Sequence, residues 1–340
     1  MIADAIKKLA DRKDLTRDEV RRVFSEMMDG AASEVQKAAF LVALRMKGET
    51  VDEIAGAATA MRERVVPLDV DPTGLIDTCG TGGDGRSTFN ISTVSAIVAA
   101  GAGAVVAKHG NRAVSSSCGS ADVLAALGVR IELNPEEMVA VLKKVGISFL
   151  FAPRLHPATG SVVGVRRELG LRTIFNVLGP LTNPARARRQ VIGVYSSHLV
   201  DLIARVLVSL GAEHALVVHS HDGMDEISVS APSRVSEVKD GEISSYEIES
   251  SDLGLGTYSI DDLRGGDARR NAEITRAILE GESGAPRDVV VANAGAAIYV
   301  AGLAGSIRDG AVIAQRTIDS GAAARKLAEL VAETNGAGVV

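Results

Sequence analysis

Leu75-Ile-Asp-Thr-Cys-Gly-Thr-Gly-Gly-Asp-Gly-Arg-Ser-Thr-Phe-Asn-Ile-Ser-Thr93 decides how this chain is read. A short apolar run stops at four glycines in six residues, Gly80 to Gly85, and an apolar helical pattern opens near Ile91. A strand, a glycine loop and a helix start bring backbone N–H groups and the positive end of a helix to one spot, where anions bind. Further on, Val105-Val-Ala-Lys-His-Gly-Asn-Arg-Ala-Val-Ser-Ser-Ser-Cys-Gly-Ser120 repeats the design with Lys108 and Arg112 added. Two neighbouring anion cradles suggest a ligand with phosphates at both ends.

On the N-terminal side, residues 1–66 read as helical throughout. Ile2, Ile6 and Leu9 share a face; Thr16-Arg-Asp-Glu19 and Thr50-Val-Asp-Glu53 have the form of capping boxes; Gly30 closes one helix, and Ser33 to Met46 makes another. The fourth helix is expected to end near Val65. Pro67 to Gly74 is then a linker, after which the hydrophobic period changes. From Leu75 onward, strand-like runs (75–79, 104–107, 147–151, 190–195, 215–219) alternate with helical ones (91–102, 119–127, 135–145, 198–210). Such alternation predicts a mostly parallel sheet covered by helices, with ligands beyond the carboxyl ends of the strands. Arg234 to Ile248 alternates around Asp240-Gly241, which signals an antiparallel hairpin. The tail is helical again, over 268–281, 287–302 and 310–334. The fold class expected is α/β: a small all-helical N-terminal domain, residues 1–70, and a larger α/β domain, residues 71–340, with a mostly parallel central sheet.

With 340 residues, 46% of them hydrophobic and 24% charged, the chain is an ordinary globular protein, and its net charge of −6 argues against general nucleic-acid binding. The two cysteines, Cys79 and Cys118, sit in glycine-rich loops, form no zinc pattern and suit a reducing compartment. The most apolar window ends in Lys108-His109 and is rich in Gly, Ala and Ser, so it reads as buried helix and strand and not as a membrane span. Without a signal-peptide pattern at Met1 to Lys8, a cytoplasmic location is expected.

Gly80-Thr-Gly-Gly-Asp-Gly85 literally fits G-x-G-x-x-G, but the dinucleotide reading fails on context. Arg86 to Asn90 intervene before the helix, and no acidic residue lies between Asp84 and Asp122 to hold a ribose hydroxyl. The Walker pattern fails as well, because no Gly-Lys-Ser/Thr follows. Asn90-Ile-Ser-Thr93 offers either simple N-capping or an amide and two hydroxyls that complete a phosphate shell. Lys108 and Arg112 could be a solvated basic turn, yet Ser115, Ser116 and Ser120 continue the loop into a helix start, which is phosphate chemistry again. Adjacent acids such as Asp225 and Glu226 are usually just solvated. Beside two phosphate cradles they gain a role, since polyanions arrive with Mg²⁺ bound through one or two carboxylates.

Taken in order and spacing, Asp77 to Gly85, Asn90 to Thr93, Lys108 to Arg112, Gly119-Ser-Ala-Asp122, Arg172-Thr-Ile-Phe-Asn-Val-Leu-Gly-Pro-Leu-Thr-Asn-Pro184 and Asp222-Gly-Met-Asp-Glu-Ile-Ser228 resemble the anthranilate phosphoribosyltransferase family over nearly the whole chain. The resemblance implies the nucleoside phosphorylase/phosphoribosyltransferase-like architecture, a segment near 164–183 that returns to the helical domain, and a homodimer joined through that domain. It implies transfer of the phosphoribosyl group of 5-phosphoribosyl-1-pyrophosphate (PRPP) to anthranilate with Mg²⁺, the second step from chorismate to tryptophan, and association with anthranilate synthase. No membrane or nucleic-acid partner is implied.

Carried over by position, PRPP would be held first by Gly80, Gly83, Asp84, Thr88, Asn90, Ile91, Ser92 and Thr93. The second stretch would add Lys108, His109, Gly110, Asn111, Arg112, Ala113, Val114, Ser115, Ser116 and Ser120. Ser92, Asp225 and Glu226 would hold the metal, and Gly80, His109, Asn111 and Arg166 the anthranilate. No residue stands out as a general base; Lys108, Asn111 and Arg166 would act by charge and position. One departure is that His156-Pro-Ala is followed by Thr159-Gly160, where family members often carry Met-Lys, with Gly164 before Val165-Arg166. Two glycines there predict a mobile segment that orders when the acceptor binds. Two other readings compete. A pyrimidine nucleoside phosphorylase would share the architecture but use different glycine and lysine motifs. A nucleic-acid binder on this scaffold fits poorly with Asp225-Glu226 and the acidic balance.

Overall fold

Three N-terminal helices begin where a hydroxyl stands three residues ahead of a Glu or Gln. In the computed structural model, which describes residues 1–113 and 117–336, Thr16, Ser33 and Thr50 each accept the amide three residues on, and Glu19, Gln36 and Glu53 return the bond. Each box satisfies two amides that the helix itself cannot. Helices α1 (Ile2–Ala10), α2 (Arg17–Met28), α3 (Glu34–Lys47) and α4 (Val51–Arg62) bury their apolar stripes, among them Leu9, Phe24, Phe40, Leu41, Leu44 and Ile54, in one core. The last of them stops at Arg62, short of the expected end near Val65, and residues 63–74 carry neither helix nor strand.

Strands β1 (Leu75–Gly80), β2 (Val105–Gly110), β3 (Ile147–Phe151), β4 (Arg189–Gly193), β5 (His214–Ser220), β6 (Ser233–Lys239) and β7 (Glu242–Ile248) form one sheet in the order β3-β2-β1-β4-β5-β6-β7. Neighbours from β3 to β5 are parallel, whereas β5–β6 and β6–β7 are antiparallel, the second pair being the expected hairpin. Between strands lie α5 (Ile91–Gly101), α6 (Ser120–Ala126), α7 (Pro135–Val145), α8 (Ala152–Leu155), α9 (Gly160–Leu169), α10 (Phe175–Leu181) and α11 (His198–Ser209). The chain steps outward from β1 to β2 and β3, then returns to pair β4 with the other edge of β1. The direction of winding reverses there, and a crevice opens at the strand ends.

β2 is longer than its sequence suggests. Expected to stop at Ala107, it continues through Lys108, His109 and Gly110, because Phe149, Leu150 and Phe151 of β3 give all three a ladder partner. Lys108 and His109 are therefore buried strand residues and not a solvated turn.

Alternation along β4 and β5 divides the core. Val191, Leu216 and Val218 face the cluster that contains α5, while Ile192, Val194, Ala215 and Val217 face the bundle's own core. Val162 and Val165 of α9, Ile174 just before α10 and Leu178 within it belong to that second core. Polar bonds pin α9 to the bundle: Lys37 Nζ donates to the Ser161 carbonyl at 2.7 Å, and Ser161 Oγ donates to the Met27 carbonyl at 3.1 Å. The tail forms α12 (Ala268–Leu279), α13 (Ala285–Val300), α14 (Ile307–Asp319) and α15 (Ala322–Gly336). The expected single helix over 310–334 is thus two, since Gly321 takes a φ of 69°, outside helical space. Among the described residues no helix is long and apolar enough to cross a membrane.

Candidate active site

Gly80 and Gly193 end β1 and β4 side by side, and Asp225 occupies the space that their missing side chains leave. A Cβ on Gly80 would collide with the Asp225 carboxylate, and one on Gly193 with its backbone carbonyl. The carboxylate thereby reaches the glycine loop and accepts the Gly82 N–H at 2.8 Å. Thr81 ties the same loop to β4, donating its N–H to the Gly193 carbonyl at 2.9 Å and accepting from Tyr195 N at 3.0 Å. Arg172 closes the outer side: it donates to the Gly83 carbonyl and lies 4.3 Å over the Tyr195 ring.

The acids of this crevice carry more negative charge than their surroundings neutralise. Burial, and then the facing Asp84, push the Asp225 carboxyl up to about 7. Burial and Asp225 push Glu226 well above the usual range, although Lys108 and the Ser92 amide pull the other way. Asp222 shapes the approach: it accepts from Met224 N at 3.1 Å and Ser228 Oγ at 2.6 Å, and also from Ser230 Oγ. Burial raises its pKa, but these donors outweigh burial and hold it below the usual value. Among the described residues no three His, Cys, Asp or Glu side chains group to hold a metal unaided. Asp225, buried, and Glu226, half-buried, nevertheless suit Mg²⁺, which takes one or two carboxylates and fills its shell with water and phosphate oxygens.

The two cradles are joined by Asn90, which does not cap α5. Its Nδ2 donates to the Cys118 carbonyl at 3.1 Å, and its Oδ1 accepts from Asn271 Nδ2 at 2.9 Å. Lys108 Nζ bonds the Thr78 carbonyl and lies 3.5 Å from Ser92 Oγ, so its charge sits beneath the start of α5. Burial pulls its pKa down against the attraction of Asp77 and Glu226. Among the described residues Thr93 Oγ1 is buried there without a hydrogen-bond partner. Ile91 packs into the core, leaving only its backbone toward the site, and Thr88 bridges to Arg264.

In the second loop Ser120 Oγ donates to the Asn111 carbonyl at 3.2 Å. Asn111 is exposed, and no partner is recorded for its amide NH₂ among the described residues. Arg112 bonds Asp122 at 3.1 Å and lies 3.7 Å from Glu132. Asp122 also accepts from the amides of Ala113 at 3.0 Å and Gly119 at 2.9 Å, so it shapes this loop. Val114, Ser115 and Ser116 lie outside the described residues.

Two buried groups at the base of the site have no role in the sequence reading. Asp77, fully buried in β1, accepts from His109 N at 3.1 Å and Asn183 Nδ2 at 2.8 Å, fixing β2 and the segment after α10. A carboxylate inside an apolar strand was the available signal. His156 Nε2 stands 3.2 Å from His109 Nε2, and His109 Nδ1 bonds the Gly179 carbonyl at 3.2 Å. Burial drives His109 down to about 3 and His156 to about 4, so both rings are neutral at pH 7. Arg166 on α9 stacks 5.0 Å over Phe175, half-buried, and has no recorded hydrogen bond or ion pair among the described residues; Arg167 is exposed.

Residues 72–324 match the model of the glycosyl transferase family α/β domain, and residues 3–65 match that of its helical bundle domain. Anthranilate phosphoribosyltransferase from Anaeromyxobacter sp. (strain K) is 58% identical over 334 residues, 98% of this chain and 99% of the relative. The crystal structure of the Thermus thermophilus enzyme superposes with a TM-score of 0.93 at 44% identity, covering 98% of this chain and 99% of that one. Structures of the Saccharomyces cerevisiae enzyme, one with PRPP and Mg and one with 4-fluoroanthranilate, superpose with TM-scores of 0.89 at 27% and 26% identity over 98% of both chains. The chain belongs to the anthranilate phosphoribosyltransferase family.

Proposed function

We propose that this enzyme transfers the phosphoribosyl group of PRPP to the amine of anthranilate, giving N-(5-phosphoribosyl)anthranilate and pyrophosphate, the second step of tryptophan biosynthesis from chorismate. The observation that carries the reading is the glycine loop of β1 locked onto Asp225 at 2.8 Å, beside a second loop tied to it through Asn90. PRPP would span residues 80–93 and 108–120. Ser92, Asp225 and Glu226 would hold Mg²⁺, which when bound supplies positive charge against the departing diphosphate.

The chain's own residues do the rest. As the C1–O bond breaks, loop amides, the start of α5 and the buried Lys108 oppose the negative charge gathering on pyrophosphate. Arg166, stacked on Phe175 and without a carboxylate partner among the described residues, offers a planar fork to the anthranilate carboxylate. Asn111 would hold the acceptor with its free amide. His109, neutral because of burial, cannot protonate the attacking amine at neutral pH. Catalysis then rests on positioning and charge, without a strong base.

The helical domain is taken as residues 1–70 with the segment near 164–183, and 71–340 as the catalytic domain. A homodimer through the helical face is part of the proposal: Val35 of α3 and Val163 of α9, 78% and 53% exposed, flank the Lys37–Ser161 bond and would be covered by it. A cytoplasmic location fits the two free thiols. Association with anthranilate synthase, whose product is the acceptor, is proposed as well and is tested by co-elution of the two. The activity is tested by loss of anthranilate fluorescence, which should require both PRPP and Mg²⁺. Phosphate-dependent cleavage of thymidine without that loss would favour a nucleoside phosphorylase instead.

A further inference from the structure

A cavity of about 500 Å³ lies between the helical bundle and the α/β domain, walled by the α3–α4 turn, the residues leading into α10, and the end of β4 with the start of α11. None of the residues assigned above to PRPP, magnesium or anthranilate lines it. Its wall is apolar along Ile54, Ile174, Val177 and Leu199. Against that wall stand three charges, Arg45, Glu49 and Arg172. Among the described residues neither Arg45 nor Glu49 forms an ion pair with another side chain, although they are close enough to influence each other. Burial already disfavours the charged form of Glu49. Arg45 and Arg172 are exposed, whereas Glu49 is half-buried, and a carboxylate that faces a cavity without a cation against it is costly unless a ligand completes it.

We infer that this cavity binds a zwitterionic α-amino acid with a large apolar side chain: its ammonium on Glu49, its carboxylate on Arg45 and Arg172, and its side chain along Ile54, Ile174, Val177 and Leu199. A plain carboxylate would leave Glu49 without a cation. An aminobenzoate such as anthranilate, whose amine is uncharged at neutral pH, would do the same. Volume allows even the largest amino-acid side chains, since metabolite pockets run from about 300 to 1,000 Å³. Arg172 links the cavity to the catalytic loop, because the same guanidinium donates to the Gly83 carbonyl. A carboxylate that draws on Arg172 competes with that bond, so occupancy should weaken PRPP binding. This coupling, unlike the binding itself, rests on residues 80–93 being the PRPP cradle.

L-tryptophan is a convenient probe, because the chain contains no tryptophan and the ligand's indole emission is read without background. Fluorescence anisotropy of the full-length protein titrated into L-tryptophan should saturate. N-acetyl-L-tryptophan, lacking the ammonium, and tryptamine, lacking the carboxylate, should each bind about tenfold more weakly, the loss expected for one charged hydrogen bond. Glu49→Gln and Arg45→Gln should each weaken binding to a similar degree, with circular dichroism and melting unchanged. No saturation up to about 10 mM, equal binding by both variants, or displacement by anthranilate with loss of binding in Arg166→Ala would overturn the site. An unchanged PRPP KM at saturating tryptophan would overturn the coupling, whereas a severalfold rise supports it.

Discussion

His109 and His156 face each other through their Nε2 atoms at 3.2 Å, their rings tilted by 45°. Where Nδ1 of His109 donates to the Gly179 carbonyl, its Nε2 is an acceptor, and the N–H between the rings has to come from His156, whose ring also has the Thr182 carbonyl as a partner. Three segments that are distant in sequence, β2, the turn after α8 and α10, meet at this contact.

The pair makes stability depend on pH in one direction. Both folded pKa values, about 3 and about 4, lie below the ordinary 6.5, so the unfolded chain binds more protons than the folded one as pH falls below 6.5. Stability should therefore decline from about pH 6.5 toward pH 4, with a slope of up to about 1.4 kcal/mol per pH unit for each imidazole. His156→Gln should flatten the decline in urea unfolding measured at pH 6.5, 5.5 and 4.5. An equal slope in the variant would refute the assignment.

Gly193→Ala should be among the most damaging single-methyl changes in the sheet, because the new Cβ overlaps the Asp225 carbonyl. A loss of about 2–4 kcal/mol is expected on chemical denaturation, together with a raised PRPP KM as the acidic loop is pushed away. Gly80→Ala meets mainly the movable carboxylate of Asp225 and should cost less stability while still raising the PRPP KM.

Gly164→Ala runs the other way. Gly164 lies inside α9, and a Cβ there meets nothing within 4 Å, so alanine should stabilise by about 0.5–1 kcal/mol. Amide exchange over 159–169 should be fast in the free enzyme and slow with anthranilate. Exchange that is already slow without ligand and unchanged by it would contradict the expected ordering of this segment.

Arg166→Ala should raise the anthranilate KM roughly tenfold or more and move the PRPP KM little, since the charged fork is lost from a stacked, half-buried place. Arg167→Ala, at an exposed neighbour, should change neither by more than about twofold. Steady-state kinetics of both variants decide the matter, and equal defects would remove Arg166 from acceptor binding.

The features legible in the sequence are those written locally. Capping boxes at Thr16 and Thr50, the turn at Asp240-Gly241 and the glycine run after Leu75 each announce their backbone within a few residues. The features missed depend on a partner remote in the chain. β2 gains Lys108 and His109 only because β3 lies alongside, and Asn90 reads as a cap until Cys118 and Asn271 claim its amide. Arg112 reads as a phosphate ligand, and its ion pairs with Asp122 and Glu132 have no local signature in the sequence. His156, 47 residues from His109, carries no local pattern that pairs the two.

The most direct measurement is a crystal structure of this enzyme with PRPP and Mg²⁺. Density for the sugar is expected between residues 80–93 and 108–120, with the ion between its diphosphate and the carboxylates of Asp225 and Glu226. Density lodged anywhere else in the molecule, or an ion bound away from both acids, would contradict the proposed site.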